Sequence, residues 1–223
     1  MDTKVFAIRI GDKYGKDVED YINSKIPNVT WIREEKDGFK LQWNRLHLMN
    51  SDIEGPILTI DIDMLFINDY MEAINYPINR GEFLTAKSWW GNDSDGIKSS
   101  LNGGFQKYYP EDCRYIYEEF VSRKEFWEEY YIKTGITTGP VNGEQFFMER
   151  MVNQRLKLKY IPDNWFMRME EDLSRTQLIK LNAKYNGDWA YLGEEFNPDI
   201  KIVHFMTDNF NSRIIDKFSH HHL

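Results

Sequence analysis

Apolar residues in this chain fall in short runs that alternate between strand-like and helix-like spacing. The segments Val5–Ile10, Val29–Ile32 and Ile57–Ile60 are short apolar or β-branched runs, which predict strands. Between them, the apolar positions of Asp17–Lys25 and Phe39–Met49 recur at helical spacing. This strand–helix–strand–helix–strand order, with continuously apolar strands, predicts a largely parallel sheet covered by helices on both faces.

The second half of the chain has a less regular pattern. Glu82–Trp90 predicts another strand, and the polar segment Gly91–Ser100 predicts a loop. Beyond this loop the pattern predicts two helices and two strands: Glu111–Tyr131, Gly143–Gln154, Lys157–Ile161 and Ile200–Phe205. Because no internal repeat or long linker interrupts the 223 residues, we expect one α/β domain over 1–223.

Composition narrows the class of protein. Hydrophobic residues make up 41% of the chain and aromatic residues 15%, which is too apolar for a disordered chain. A net charge of −8 argues against nucleic acid as a partner, because binding to phosphate backbones needs a basic face. The single cysteine, Cys113, excludes an internal disulfide. It indicates either a reducing compartment or a protein whose stability does not depend on the redox state of its compartment. No apolar stretch approaches the ~18 residues of a transmembrane helix, so we expect a cytoplasmic protein without a transmembrane segment.

Two aspartates follow the most apolar predicted strand. Asp61 and Asp63 come directly after Ile57–Ile60, and residues i and i+2 of an extended chain point to the same side. Open α/β sheets bind ligands beyond the carboxyl ends of their strands, and paired carboxylates suit a divalent cation that also binds phosphates. The pattern alone is a weak signal, because it recurs at Asp93-Ser94-Asp95 with no strand before it.

His204 lies inside the apolar run at Ile202–Met206. Taken by itself it is better interpreted as a neutral core histidine that hydrogen-bonds a backbone carbonyl. As a third ligand beside Asp61 and Asp63, its imidazole would complete a mixed site for an ion such as Mn²⁺. Sequence spacing leaves both interpretations open.

Three other segments combine glycine with polar side chains. Asn102-Gly103-Gly104 is either an ordinary turn or a place where backbone approaches a ligand closely. Glu144-Gln145 opens a predicted helix, where an acid is favoured by the helix dipole but could also grip sugar hydroxyls. The loop after the first strand reads Gly11-Asp12-Lys13-Tyr14-Gly15 and matches neither a phosphate-binding nor a dinucleotide-binding fingerprint.

In this order, the segments resemble nucleotide-sugar-dependent glycosyltransferases of the GT-A fold, related to the glycogenin-like family 8 enzymes and to small phage and bacterial relatives. The resemblance extends from Gly11 to His204. It rests on an ordered set of short motifs: Gly11-Asp12-Lys13-Tyr14-Gly15, Trp43-Asn44-Arg45-Leu46, Ile57–Asp63, Asn102-Gly103-Gly104-Phe105, Gly143-Glu144-Gln145 and Val203-His204-Phe205.

The resemblance implies a GT-A-like, Rossmann-like α/β domain with a central mixed, mostly parallel sheet flanked by helices. It implies a nucleotide-binding half at about 1–100 and a donor-sugar and acceptor half at about 101–215. It further implies three sets of residues: metal ligands Asp61, Asp63 and His204; donor-binding residues Gly11, Asp12, Tyr14, Arg45, Asp61, Asn102, Gly103 and Gly104; and catalytic residues Glu144 and Gln145.

The implied activity is transfer of a hexose from a nucleotide diphosphate sugar, UDP-glucose or UDP-galactose, to an acceptor hydroxyl, with Mn²⁺ or Mg²⁺. The acceptor is a glycan, a lipid or a protein. Glu144 would be the base if the sugar configuration is inverted, and would position the sugar if it is retained, as the terminal histidine motif suggests.

Two other classes stay open. A phosphatase of the haloacid-dehalogenase type also has an aspartate pair after an apolar strand, with the first aspartate as nucleophile. The second open class is a carbohydrate- or nucleotide-binding module without turnover, because this chain departs from the enzyme pattern. Arg45 replaces a lysine and Glu144 replaces an aspartate. The Gly and Lys-Pro expected after His204 are absent, with Arg213 as a substitute cation.

Overall fold

The structure is a computed structural model that describes residues 2–87, 100–134, 143–169, 191–192, 195–196, 199–205 and 210–219. Contacts between residues divide the chain into two compact units. The first unit comprises Met1–Ile10, Val29–Asp61 and Pro77–Tyr160, and the second comprises Gly11–Asn28, Ile62–Tyr76 and Ile161–Leu223. The expectation of one domain with halves at about 1–100 and 101–215 stays a prediction.

The part of the chain that the structure describes contains both strands and helices. The strands are β1 (Lys4–Ile8), β2 (Thr30–Ile32), β3 (Ile57–Ile60), β4 (Met64–Phe66), β5 (Glu82–Lys87), β6 (Leu101–Tyr108), β7 (Lys157–Tyr160), β8 (Phe166–Met169), β9 (Tyr191–Leu192), β10 (Glu195–Phe196) and β11 (Ile202–Phe205). The α-helices are α1 (Lys16–Lys25), α2 (Met71–Ile74), α3 (Pro110–Ser122), α4 (Lys124–Lys133), α5 (Glu144–Arg155) and α6 (Ser212–Ser219). Two 3₁₀-helices span Leu41–Asn50 and Asp163–Trp165.

The first unit is built on a six-stranded mixed sheet. Its strand order is β2-β1-β3-β6-β5-β7, and only β6 runs antiparallel to its two neighbours. All four residues of β3 are buried, and the strand lies between β1 and β6. The predicted α/β fold with an interior β3 is therefore confirmed.

Aromatic side chains form the core on one face of this sheet. The ring of Trp43 stacks on that of Phe120 with centroids 4.4 Å apart, and Phe147 meets Phe120 edge-on at 5.5 Å. On the sheet itself, Phe83 and Tyr108 stack at 5.3 Å. α3, α5 and the first 3₁₀-helix all contribute aromatic side chains to this cluster. Packing of the core therefore accounts for much of the high aromatic content.

The segment predicted as a helix over Phe39–Met49 is a 3₁₀-helix, Leu41–Asn50. Three residues per turn bring Trp43, Leu46 and Met49 onto one face, and all three are fully buried. The side chain of Asn44 donates to the carbonyls of Phe39 and Leu41 at 2.8 and 2.9 Å. Such side-chain bonds compete with the regular α-helical pattern, which explains the difference from the prediction.

The single long helix predicted over Glu111–Tyr131 is two helices. α3 ends at Ser122, whose hydroxyl donates to the carbonyl of Glu119 at 2.9 Å, and Arg123 has a non-helical backbone. The break allows Phe120 on α3 and Trp127 on α4 to pack against the same ring, that of Phe147. Tertiary packing thus overrides the helical periodicity.

Asn102-Gly103-Gly104 lies within a strand and not in a turn. All three residues belong to β6, which pairs with β3 and β5. The hydroxyl of Thr85 on β5 donates to the carbonyl of Asn102 at 3.0 Å and accepts its N–H at 3.2 Å, beside an irregularity in the ladder. A neighbouring strand therefore replaces the local turn that an Asn-Gly pair favours.

The second unit contains a three-stranded sheet in the order β4-β11-β8. β11 is antiparallel to β4 and parallel to β8. Tyr21 on α1 fixes the edge strand β4, because its hydroxyl accepts the N–H of Phe66 at 2.8 Å. Asp17 on α1 accepts the N–H of Ser212 at 2.7 Å, which joins α1 to the start of α6.

Some predicted features lie outside the described residues. They are the end of the Glu82–Trp90 strand after Lys87, most of the Gly91–Ser100 loop with Asp93 and Asp95, and residues 206–209 after His204. Among the described helices, none combines the length and the apolar character that crossing a membrane requires.

The glycine that precedes α5 yields a stability prediction. A Cβ at Gly143 would lie 2.8 Å from Cδ2 of the Tyr131 ring, which is packed in the core and cannot move away cheaply. We expect Gly143→Ala to lower the free energy of unfolding by about 1–3 kcal/mol, measured by urea denaturation.

Tyr131→Ala provides the matched control, because it removes the ring that the new Cβ would meet. In this background, Gly143→Ala should cost much less stability than in the wild type, since Gly143 already has a helical φ of −76° that alanine adopts easily. An equal loss in both backgrounds would show that the Tyr131 ring is not what makes glycine necessary at Gly143.

Candidate functional site

Asp61 lies at the carboxyl end of β3, where the sequence predicts it. The strand ladder continues one residue past β3, because the backbone N–H of Asp61 donates to the carbonyl of Gly104 at 2.8 Å. The Asp61 side chain is 30% exposed. The end of an interior strand thus presents a carboxylate that is fixed by its backbone and still reachable from solvent.

A buried guanidinium lies beside Asp61. The side chain of Arg45 is 2% exposed, and its Nη2 donates to Oδ1 of Asp61 at 2.9 Å. Its Nη1 donates to the carbonyl of Gly103. Burial lowers the pKa of Arg45, but Glu144 and Asp61 raise it by more, so the group stays charged. Binding of a donor phosphate by Arg45 stays a prediction.

Glu144 is the second acid around Arg45. It is the first residue of α5, its side chain is 5% exposed, and its Oε1 lies 3.7 Å from Nε of Arg45. Burial raises the pKa of Glu144 to about 7; Arg45 opposes this shift and Asp61 adds to it. A carboxyl group that changes protonation near neutral pH suits acid–base chemistry or hydrogen-bond donation to a substrate.

The glycine segment of β6 packs closely against the start of α5. The N–H of Gly103 donates to Oε1 of Gln145 at 3.2 Å, and the N–H of Gly104 donates to Oδ1 of Asn102 at 2.7 Å. A Cβ at Gly103 would lie 3.2 Å from Oε1 of Gln145 and 3.6 Å from Oε2 of Glu144. Glycine therefore permits the close approach of these backbone and side-chain groups.

The first unit thus joins predicted residues that are far apart in sequence. Its polar cluster contains Arg45, Asp61, Asn102, Gly103, Gly104, Glu144 and Gln145.

Gln106 belongs to the same cluster and was missed by the sequence analysis. Its Nε2 donates to the carbonyl of Gly103 at 3.0 Å, and its side chain also hydrogen-bonds Glu144. In a strand, residues 102, 104 and 106 share one face, so a strand assignment for this segment would have indicated Gln106. A turn at Asn102-Gly103 does not place alternate residues on one face, so that interpretation gave no indication of Gln106.

In the second unit, Asp63 lies against His204. Nε2 of His204 lies 3.3 Å from Oδ1 of Asp63, and both side chains are largely buried. The backbone bends at Ile62 and Asp63, so the extended chain expected there is not what orients the second carboxylate. Pairing of β4 with β11 does so, because the N–H of Phe205 donates to the carbonyl of Asp63 at 2.8 Å.

Tyr14 contacts the other oxygen of the same carboxylate. Its hydroxyl donates to Oδ2 of Asp63 at 3.0 Å. Burial raises the pKa of Asp63, but His204 and the hydrogen bonds from His204 and Tyr14 lower it by more, so its pKa is below the ordinary value. Asp63 is therefore held as a carboxylate, the form that binds a cation.

The donor set fits a divalent cation. Within the second unit, Asp63 and His204 offer a carboxylate oxygen and an imidazole nitrogen side by side. The role of Asp61 as a third ligand stays a prediction. Oxygen ligands suit Mg²⁺ and Mn²⁺, and one imidazole shifts the preference toward Mn²⁺.

Gly11 and Asp12 lie exposed between β1 and α1. Gly11 has a φ of +78°, a conformation that favours glycine, and no described atom lies within 4 Å of the position of its Cβ. Their contribution to donor binding stays a prediction.

Comparison with known proteins identifies the fold. No family model and no curated protein matches the sequence. Among solved structures, the apo-form glycosyltransferase GlyE of Streptococcus pneumoniae TIGR4 has a TM-score of 0.55 at 10% identity, over 93% of this chain and 55% of that chain. A glycosyltransferase involved in glycosylation of the major capsid of PBCV-1 has a TM-score of 0.54 at 13% identity, over 99% of this chain and 98% of that chain. The galactosyltransferase LgtC, in complex with donor and acceptor sugar analogues, has a TM-score of 0.55 at 13% identity, over 93% of this chain and 87% of that chain.

These similarities concern architecture. The chain has the fold of GT-A-type glycosyltransferases, which confirms the fold resemblance found in the sequence. It spans 55% of the length of the GlyE structures.

The ionisation of Glu144 yields a prediction on stability against pH. Because its pKa is higher in the folded than in the unfolded chain, ionisation disfavours folding: this cost is absent below the unfolded pKa and complete above about pH 7. Relative to the wild type, Glu144→Gln, which does not ionise, should gain about 2–3 kcal/mol of stability between pH 5 and pH 8, in metal-free urea denaturation.

Glu129→Gln is a control of opposite sign. The hydrogen bond from Lys133 lowers the pKa of Glu129, so this variant should lose stability at pH 8 and not gain it. A gain for Glu144→Gln that is equal at both pH values would contradict the assignment of a neutral-range titration to Glu144.

Proposed function

We propose that this chain is a metal-dependent glycosyltransferase that transfers a hexose from a UDP-sugar, UDP-glucose or UDP-galactose, to an acceptor hydroxyl with retention of configuration. The acceptor class is a glycan, a lipid or a protein. We also propose a cytoplasmic location, supported by the free, buried thiol of Cys113.

One observation carries the proposal. Asp-x-Asp follows directly on an interior, fully buried strand, and its second carboxylate contacts the imidazole of His204 from a strand about 140 residues later. A core histidine would be expected to bond a backbone carbonyl, whereas His204 faces a charged carboxylate. The GT-A-type fold supports the same function.

The ligand assignment follows from this contact. Asp61, Asp63 and His204 would hold Mn²⁺ or Mg²⁺. When bound, the ion is a Lewis acid that neutralises charge on the departing nucleoside diphosphate. Arg45 orients Asp61 through a direct 2.9 Å hydrogen bond, which places the first carboxylate before any ligand binds.

The polar cluster of the first unit is suited to bind the donor sugar. Glu144 and Gln145 lie at the start of α5 against the backbone of Gly103, and Asn102 lies next to it on β6. With a pKa near 7, Glu144 can donate to or accept from a sugar hydroxyl. In a retaining reaction Glu144 and Gln145 position the sugar; in an inverting reaction Glu144 would be the base.

The turn after β1 would bind the base of the nucleotide. It presents exposed Gly11 and Asp12 together with half-buried Tyr14, beyond the carboxyl end of a sheet strand. This placement supports a nucleotide as the donor group.

The activity is tested with a panel of nucleotide sugars, each with and without Mn²⁺, by measuring release of the nucleotide. We expect Mn²⁺-dependent hydrolysis or transfer with one UDP-hexose, and complete loss in Asp63→Ala, which lacks a ligand. Asp95→Ala, in the second Asp-x-Asp of the sequence and outside the described residues, is the sequence-matched control and should keep the activity.

The same panel distinguishes the other classes. Phosphate release from p-nitrophenyl phosphate would indicate the phosphatase, with Asp61 as nucleophile. Nucleotide binding without turnover would indicate a binding module. Equal effects of Asp63→Ala and Asp95→Ala would remove the metal-site assignment.

His204 yields a second test of the site. His204→Gln should weaken Mn²⁺ binding at least tenfold while the melting temperature changes little, because glutamine keeps a polar side chain of similar length and removes only the imidazole ligand. Isothermal titration with Mn²⁺ and thermal denaturation of the same sample measure both quantities.

His47→Gln is the control, since His47 stacks on Phe39 and approaches the carbonyl of Lys36 in the first unit. It should leave Mn²⁺ affinity unchanged. A large loss of stability in His204→Gln with normal Mn²⁺ affinity would reduce His204 to a structural residue.

A further inference from the structure

The hydroxyl of Tyr14 connects the turn after β1 with the candidate ligand Asp63. Tyr14 lies between exposed Lys13 and Gly15, 49 positions before Asp63, yet its hydroxyl reaches Oδ2 of that carboxylate at 3.0 Å. Tyr14, Asp63 and His204 all belong to the second unit. The half-buried side chain of Tyr14 therefore attaches a mainly exposed turn to the site.

The two oxygens of Asp63 have different neighbours. Oδ1 faces Nε2 of His204 at 3.3 Å, and Oδ2 accepts the hydroxyl of Tyr14. A cation held by Asp63 and His204 would take the pair of atoms that face each other, Oδ1 and Nε2. Oδ2 would then remain available to Tyr14.

We propose that Tyr14 is a positioning residue for the metal site: its hydroxyl keeps the hydrogen bond to Oδ2 while Oδ1 binds the cation. This inference rests on the proposed function, because it presumes that Asp63 is a ligand. Its consequence is that cation binding and the conformation of the Gly11–Gly15 turn are coupled.

The energetic reason is the orientation of the carboxylate. A carboxylate that is free to rotate must lose that freedom when it binds a cation, whereas one anchored through its second oxygen has already lost it. Asp63 lies in a bend, and the hydrogen bond from Phe205 to its carbonyl holds the main chain but not the rotation of the carboxylate. Removal of such a hydrogen bond typically costs 10–100-fold in metal affinity.

Tyr14→Phe tests the inference, because it keeps the ring and removes only the hydroxyl. By isothermal titration with MnCl₂ and no nucleotide, we expect binding about tenfold weaker than in the wild type. Tyr70→Phe is the matched control in the second unit: it also loses a hydroxyl hydrogen bond, to the carbonyl of Lys25 at 2.8 Å, away from Asp63. It should bind Mn²⁺ like the wild type.

Hydrogen exchange provides a readout that a weaker ligand set alone would not change. At saturating Mn²⁺ for each protein, amides of residues 11–15 should gain protection in the wild type and in Tyr70→Phe, but not in Tyr14→Phe. If Tyr14→Phe binds Mn²⁺ with wild-type affinity, or if its residues 11–15 gain as much protection as in the wild type, the inference is overturned while the proposed metal site stands. Failure of the wild type to bind Mn²⁺ would instead overturn the proposed metal site, and the inference with it.

Discussion

The polar half of the first unit depends on the burial of one charge, the guanidinium of Arg45. A buried cation is tolerated only when acceptors surround it, and removing a partner from such a group typically costs about 3–5 kcal/mol. Arg45 finds its acceptors at the end of β3, on β6 and at the start of α5. Three elements must therefore meet at one point for the charge to be compensated, and that point is where the proposed donor site lies.

Two carboxylates compete for this one cation, and they do so unequally. Asp61 has the direct 2.9 Å contact and is partly exposed, whereas Glu144 is 3.7 Å away and almost fully buried. Glu144 consequently bears the burial cost, and its pKa rises to about 7. Asp61 is the direct counter-ion of Arg45, and Glu144 is a second acid whose protonation changes near physiological pH. Ionisation of Glu144 lowers the stability of the folded chain. That cost is typical of groups retained for binding or catalysis.

The sequence predicts well what depends on local periodicity. β1, β3, α1 and α5 follow from runs of apolar residues and from glycine or proline at their ends. The errors occur where distant residues decide the local conformation. Asn102-Gly103 has the composition of a turn, but the hydroxyl of Thr85 on β5 bonds both the N–H and the carbonyl of Asn102, and the segment is part of β6. Arg45 could be identified as a functional cation, but its acceptors on β6 and α5 could not, because no local pattern specifies which carbonyls a side chain will meet.

The contact between Asp63 and His204 shows why the candidate metal ligands were predicted for a partly incorrect reason. An extended Asp-x-Asp places both carboxylates on one side of a strand. Here β3 ends at Ile60 and the chain bends, so strand geometry does not position Asp63. Its position depends instead on the β4–β11 pairing, in which His204 lies opposite Met64 and Phe205 donates to the carbonyl of Asp63. A slip of one residue in this pairing would turn His204 to the other face of the sheet. All four residues of β11 are buried, so burial alone does not distinguish the two registers. The register is fixed by the pairing with β4, including the hydrogen bond from the N–H of Phe205 to the carbonyl of Asp63. The hydrophobic pattern that makes His204 look like a core residue thus places it on β11, and strand pairing brings it to Asp63.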